Sequence, residues 1–171
     1  FKGKDITFVE IGVFNGGSLE VWKNYFGPNS KIIGIDINPE CKKFEKDNIK
    51  IFIGNQSSPR FWQKFFHEVG NVDIVLDDGG HTNLDQIIST VECVKNIKDG
   101  GLLVVEDVHT SYINRYNSSK KYSFLDFSKK LIDDVNLNIK MDNLDENFNK
   151  NYQFSLSKYI YSSHFYEGIV V

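Results

Sequence analysis

The sequence predicts an α/β domain built on an open, mostly parallel sheet with helices on both faces. Three observations predict it. Short apolar runs rich in Val and Ile recur as far as Asp107, nearly continuous rather than alternating, as strands covered on both faces require. Stretches with apolar residues at helical spacing separate them, the alternation expected of a parallel sheet with crossover helices. Nearly every run ends in an acid or an amide.

In chain order, "ITFVEIG" (6–12) is the first strand, and "EIGVFNGGSL" (10–19) is a glycine-rich loop leading into a helix striped by Leu19, Trp22, Tyr25 and Phe26. "KIIGIDI" (31–37) and "IKIFIG" (49–54) are the next strands, followed by a helix carrying Phe61, Trp62, Phe65, Phe66 and Val69. "VDIVLDD" (72–78) is the fourth strand. Leu84, Ile87, Ile88, Val91, Val94 and Ile97 then mark a helix that stops before Asp99–Gly100–Gly101, and "GLLVVED" (101–107) is the fifth strand. Phe124, Phe127, Leu131 and Val135 predict one more helix. An Asn- and Lys-rich stretch follows, and "HFYEGIVV" (164–171) reads as a terminal strand. There are no repeats, and residues 1–171 read as a single domain.

Composition narrows the function classes. The chain has 171 residues, 40% hydrophobic and 25% charged, and a domain of that size buries roughly 70% of the surface its unfolded chain exposes. A formal net charge of -3 argues against a nucleic-acid partner or a membrane-surface footprint. The Lys42–Lys43 and Lys120–Lys121 pairs read as solvated faces. No apolar run approaches the ~18 residues of a membrane span, so no membrane insertion is expected. Cys41 and Cys93 form neither a Cys-x-x-Cys nor a metal spacing, which makes free thiols in a reducing, cytoplasmic compartment the expectation. The chain begins at Phe1 and reaches a strand within a few residues, as a fragment lacking its upstream part would. No signal peptide is visible.

In open α/β sheets ligands bind outside the carboxyl ends of the strands. Those ends carry Glu10, Asp36, Asn55, Asp77–Asp78 and Glu106–Asp107. Capping explains one such residue more easily than all of them. Gly12, Gly16 and Gly17 let a ligand approach the backbone of the first loop, and the helix start after them favours an anionic group. The G-x-G-x-x-G spacing of nicotinamide enzymes is not met. Asp36, closing the second strand, is placed for ribose hydroxyls. With Glu10 and Gly12 it resembles the signature of Rossmann-like S-adenosylmethionine-dependent methyltransferases.

The segment "VLDDGGH" (75–81) raises a sharper question, because adjacent carboxylates repel and paired glycines weaken a strand. Together, "GNQSS" (54–58), "DDGGH" (77–81) and "EDVHTSY" (106–112) resemble the metal-dependent sugar O-methyltransferases of macrolide biosynthesis, the mycinamicin and demethylmacrocin type. That family carries Asp-Asp-Gly-Ser-His and Glu-Asp-x-x-Thr-Ser-Tyr at matching separation. The resemblance runs from about Phe8 to Tyr112 and resumes over 164–171, with Gly80 in place of the family's Ser.

The resemblance implies a Rossmann-like methyltransferase fold, S-adenosylmethionine as cofactor and a divalent cation, with Mg2+ expected. It implies Asp78, Glu106 and Asp107 as metal ligands, an oxygen set suited to Mg2+, Mn2+ or Ca2+ rather than zinc. His81 would be the general base, and Asp77 would bind the methionine ammonium. Glu10, Gly12, Asn15, Gly16 and Asp36 would complete the cofactor site, with Asn55, Gln56 and Ser57 near the adenine. The acceptor would be a hydroxyl of a sugar, glycan or other small molecule. In the family, an upstream region contributes substrate and subunit contacts, so a homo-oligomer is expected. His109, Thr110, Ser111 and Tyr112 are expected on a substrate-side loop, and His67 and His164 in structural or surface roles.

Alternatives stay open at this point. The same metal site would serve a methyltransferase of vicinal diphenols, and the cephalosporin-hydroxylase-like proteins share the cofactor fold. A non-catalytic S-adenosylmethionine-binding subunit is a third reading, against which the intact set of Asp78, His81, Glu106 and Asp107 argues.

Overall fold

A computed structural model describes residues 1–116, 122–136 and 156–171; Lys120–Lys121 and the Asn- and Lys-rich stretch over 137–155 lie outside the described residues. Strands β1 (Thr7–Ile11), β2 (Lys31–Asp36), β3 (Ile49–Ile53), β4 (Val72–Asp77) and β5 (Ile97–Val105) run parallel. The short antiparallel strands β6 (Phe165–Tyr166) and β7 (Ile169–Val170) complete a seven-stranded sheet in the order β3-β2-β1-β4-β5-β7-β6. The winding reverses between β1 and β4. A crevice opens at such a reversal, outside the carboxyl ends of the strands.

The helices α1 (Gly17–Phe26), α2 (Pro59–Val69), α3 (Asn83–Cys93) and α4 (Phe124–Asn136) cover both faces. Strand residues alternate between the faces with a period of two. Phe8, Ile32, Ile74 and Leu76 therefore pack on one side with Leu19 and Phe26 of α1. Val9, Ile11, Ile33, Ile35 and Val75 pack on the other with Trp62 and Phe65 of α2 and Cys93 of α3. A third cluster joins Phe124, Phe127 and Leu131 of α4 to Val105, Leu156 and Val170.

Local signals set the helix ends. Ser58 caps α2 by accepting from the Phe61 N–H at 3.4 Å, Pro59 occupies its first turn, and Gly70 ends it at φ 77°. Thr82 caps α3, accepting from the Asp85 N–H at 3.2 Å. A 3-10 turn over Pro39–Phe44, capped by Asn38, makes the crossover from β2 to β3.

Two expectations need correction. The helix expected to run through Ile97 ends at Cys93, and a 3-10 turn (Val94–Asn96) passes the chain to β5. Ile97 pairs with Val72, and Gly100, at φ 76°, absorbs the register shift that follows in β5. The glycine pair is thus an irregularity inside the strand rather than a helix stop. The terminal strand is in fact a hairpin: His164 and Val171 exchange backbone hydrogen bonds at 2.7 and 2.9 Å, and Gly168 turns the chain at φ 74°. Among the described residues no helix is long and apolar enough to cross a membrane.

Candidate functional site

Alternation along the strands answers the question posed by the adjacent aspartates. Asp77 shares the face of Val75 and is buried, its carboxylate accepting from Gln56 Nε2 at 3.0 and 3.2 Å and from the Ser89 hydroxyl of α3. Burial pushes its carboxyl up to about 6, although the Ser89, Gln56 and Gly79 donors pull the other way. Asp78 lies past the strand end, free of that network. On β1, Glu10 shares the face of Phe8 and accepts from Ser18 Oγ of α1 at 2.9 Å. Burial raises its carboxyl to about 7; Ser18 and Trp22 oppose the rise, and the charges of Asp78 and Glu106 add to it.

Two glycines of the first loop are also required by the chain's own packing. A Cβ on Gly12, at φ 98°, would stand 2.1 Å from the Asp78 carbonyl oxygen, and one on Gly16 would meet the Phe44 ring at 2.8 Å. The room they leave is filled by the chain's own atoms, so that the loop after β1 can cross the loop after β4. Asp36 organises the same loop. Its Oδ2 accepts from the Val13 and Phe14 N–H groups at 2.9 and 3.1 Å, and its Oδ1 from Asn38 N–H at 2.8 Å. Burial pushes this carboxyl up, but the backbone donors more than offset it and hold the group below its ordinary range.

A cavity of about 560 Å³ lies at the strand ends, and Gly12, Asp36, Asn55, Gln56, Asp78 and His81 are in its wall. Glu10, Asn15, Gly16, Ser57 and Asp77 are not among its lining residues. Asn15 Oδ1 accepts from Gly17 N–H at 3.1 Å, and Asn55 Oδ1 accepts from the N–H and hydroxyl of Ser57 at 2.8 and 2.7 Å, so both residues shape turns. A larger cavity, about 750 Å³, lies by β5 and α4 and contains none of the expected site residues.

At the cavity's edge one oxygen each from Asp78 and Asp107 and a ring nitrogen of His81 lie within 4.8 Å of one another. His81 Nε2 is 3.8 Å from Asp78 Oδ1 and 3.8 Å from Asp107 Oδ2, while its Nδ1 is buried without a hydrogen-bond partner among the described residues. Burial raises the Asp78 carboxyl, with Asp107 adding and His81 opposing. Burial also raises that of Glu106, and the charges of Asp78 and Asp107 add to the effect. Carboxylates crowded this way fit a divalent cation, which offsets their repulsion. The tight group holds Asp78 and Asp107 as expected, with His81 in it and Glu106 beside it.

Sequence reasoning missed the inner face of α3. Gln86, Ser89 and Thr90 are buried, and the expected core residue Leu84 is 51% exposed. Gln86 Nε2 donates to the Glu106 carbonyl at 2.9 Å, as Ser89 does to Asp77. Polar residues at helical spacing read as a solvated face; the adjoining unpaired acids were the available signal. Gly80 belongs here too. Its N–H donates to Gln56 Oε1 at 2.8 Å, and a Cβ on it would come 2.4 Å from Asp85 Oδ2, so a serine requires the Asp85 side chain to move.

No family model matches the chain. The 8-demethyl-8-alpha-L-rhamnosyl tetracenomycin-C 2'-O-methyltransferase of Streptomyces olivaceus is 32% identical over 144 residues, which cover 78% of this chain and 37% of the relative. The mycinamicin VI 2''-O-methyltransferase of Micromonospora griseorubida is 33% identical over 119 residues, 66% of this chain and 29% of the relative. Among solved structures, the methyltransferase MycE of the mycinamycin pathway, in complex with Mg and SAH, matches with a TM-score of 0.82 at 26% identity, covering 98% of this chain and 44% of that one. The chain thus spans less than half the length of each. It is a relative of the sugar O-methyltransferases of the mycinamicin and tetracenomycin type, and it has the Rossmann-like methyltransferase fold.

Proposed function

We propose that this chain transfers a methyl group from S-adenosylmethionine to a hydroxyl of a sugar on a small molecule or glycan, assisted by a divalent cation, Mg2+. The observation that carries this reading is the meeting of Asp78, His81 and Asp107 within 4.8 Å beside a cavity walled by Asp36 and Gly12. The relatives' names support it: one methylates a rhamnosyl compound, and MycE has been solved with Mg, SAH and Mycinamycin VI together.

Asp36 keeps a free lone pair on Oδ1 for the cofactor's ribose, while its other contacts hold the loop in place. Asn55, Gln56 and Ser57 border the adenine, and Gly12, Asn15 and Gly16 shape the loop that faces the methionine end. Asp77 and Glu10, committed to internal donors, serve the cofactor through the loops they anchor. Asp78, Glu106 and Asp107 would hold the cation, which when bound lowers the pKa of a coordinated hydroxyl. His81 Nε2 would take the hydroxyl proton, and S-adenosylmethionine, when bound, would supply the methyl group to that oxygen and leave as S-adenosylhomocysteine. Holding sulfur, methyl and oxygen in line is worth about 7–11 kcal/mol. Residues 1–171 act as one domain, and the buried free thiols of Cys41 and Cys93 favour a cytoplasmic setting.

The test is methyl transfer from labelled S-adenosylmethionine to rhamnosyl and related glycosides, with and without a strong chelator. Label is expected in the sugar, lost on chelation and restored by Mg2+ or Mn2+. Label that enters only phenolic acceptors, or transfer that ignores the chelator, overturns the reading.

A further inference from the structure

One hydroxyl joins the two backbone segments that carry the acids. Thr110 Oγ1 lies 2.9 Å from the His81 carbonyl oxygen and 2.7 Å from that of Asp107, and the residue is buried. Both accepting residues are left-handed, His81 at φ 57° and Asp107 at φ 56°, a conformation non-glycine residues rarely adopt. These are the turns at which the chain leaves β4 and β5 and aims Asp78, His81 and Asp107 at one another. A conformation of this kind persists where its surroundings over-determine it. The surroundings here are specific. Thr110 shares its proton between the two turns, Gln86 Nε2 donates to the Glu106 carbonyl at 2.9 Å, and the Ser111 hydroxyl donates to Asn83 Oδ1 at 3.2 Å.

We propose that Thr110 is a positioning residue of the cation site, setting the distance between the turn that bears Asp78 and His81 and the turn that bears Asp107. Its side chain bonds to neither carboxylate and acts through the two carbonyls. The inference rests on the proposed role of Asp78, Glu106 and Asp107 as cation ligands. Groups that orient metal ligands in this way are typically worth about 10–100-fold in metal affinity.

The experiment titrates Mn2+ into the purified chain and follows the free ion by electron paramagnetic resonance, with S-adenosylhomocysteine binding measured in parallel by calorimetry. The parent is expected to bind Mn2+ and Asp78→Asn to lose it. Thr110→Val, which keeps shape and removes the hydroxyl, should bind about 10–100-fold more weakly. Thr110→Ser, which keeps the hydroxyl, should return close to the parent, and S-adenosylhomocysteine affinity should stay level across the Thr110 variants. If Thr110→Val binds Mn2+ as the parent does while Asp78→Asn does not, the cation site stands and the positioning role is overturned. Thr110→Ser as weak as Thr110→Val also overturns it, because packing of the methyl group then explains the loss. A parent that binds no Mn2+, or an Asp78→Asn variant that binds it undiminished, removes the cation site and this inference with it. Should Thr110→Val fail to fold, Thr110→Cys, of similar shape and a poorer donor, takes its place with the same outcomes.

Discussion

Glu10 and Asp77 stand one register step apart on neighbouring strands, and their carboxyl groups are buried on opposite faces of the sheet. Glu10 pairs across the ladder with Leu76, the residue before Asp77, so the period of two sends one acid toward Ser18 and the other toward Ser89. Asp78, one residue further on, is left to face the cavity. Each acid at this sheet end therefore has its own surroundings and its own proton affinity.

Glu10 makes stability depend on pH in a definite direction. Its carboxyl rises from 4.5 to about 7 in the folded chain, chiefly through burial, so the folded state binds the proton more tightly than the unfolded one. Its contribution is complete below about pH 4.5 and is lost as pH climbs through about 7, at most about 3 kcal/mol. Glu10→Gln keeps an acceptor for Ser18 and removes the charge. It should stabilise the chain by about 1–3 kcal/mol at pH 8 and leave it near the parent at acid pH. Urea denaturation of both proteins across that range is the measurement, and parallel pH profiles would count against it.

Asp36 should matter to the cofactor in two separable ways. Asp36→Asn removes the charge and keeps an acceptor oxygen for the Val13 and Phe14 N–H groups while losing the bond from Asn38 N–H, and should weaken S-adenosylmethionine binding about 10–100-fold, or ~1.5–3 kcal/mol. Asp36→Ala also strands the N–H groups of Val13, Phe14 and Asn38, so it should lower the melting temperature as well. Calorimetry and thermal melting read the two effects. Undiminished affinity in Asp36→Asn would take the carboxylate out of cofactor binding.

The strands were legible because parallel strands buried on both faces need runs such as "ITFV" and "DIVL", and the crevice acids because a buried strand has little reason to end in charge. The partners of those acids were not legible. Gln56, in the turn before α2, and Ser89 and Gln86, on α3, reach Asp77 and the Glu106 carbonyl through contacts fixed by packing and absent from local spacing. Ile97 misled because its alkyl group fits a helix stripe and a strand equally well, and only its pairing with Val72 decides. Thr110 lay inside a recognised motif, but its bonds to His81 and Asp107 depend on two turns meeting across 29 residues of sequence.

Ser89→Ala tests that buried network. Asp77 would lose a hydroxyl donor in a fully enclosed site, and a buried carboxylate short of a partner typically costs about 1–3 kcal/mol. Because the lost donor favours the charged form, the penalty should grow as pH rises above about 6. Denaturant melts at pH 5 and pH 8 check this. A variant as stable as the parent at both would mean that Gln56 and the Gly79 N–H suffice for Asp77.

Asp78→Asn should separate activity from stability. Its carboxyl is raised by burial and by Asp107, so the amide relieves crowding, and the cation-free chain should melt no lower than the parent. Methyl transfer should nevertheless vanish, and added Mg2+, expected to raise the melting temperature of the parent, should not raise that of the variant. An active variant, or one that Mg2+ still stabilises, would move the cation away from Asp78.

His81→Ala distinguishes an enzyme from an inert cofactor-binding subunit. His81 Nε2 sits 3.8 Å from both Asp78 and Asp107, within reach of a hydroxyl brought to those carboxylates, where the ring nitrogen can accept its proton. Removing a general base lowers turnover by about 10²–10⁴-fold. Asp36 and Asn55, proposed for the cofactor's ribose and adenine, stand at the ends of β2 and β3, on other segments than His81, so S-adenosylmethionine affinity should hold. The loss should then fall on kcat, with little change in cofactor binding, because a base acts in the transition state. His81→Gln, which offers a hydrogen-bonding oxygen but no basic nitrogen, should be as slow as the alanine variant. Turnover preserved in both would reduce the ring to a neighbour of the carboxylates and leave activation of the hydroxyl to the acids and their cation alone.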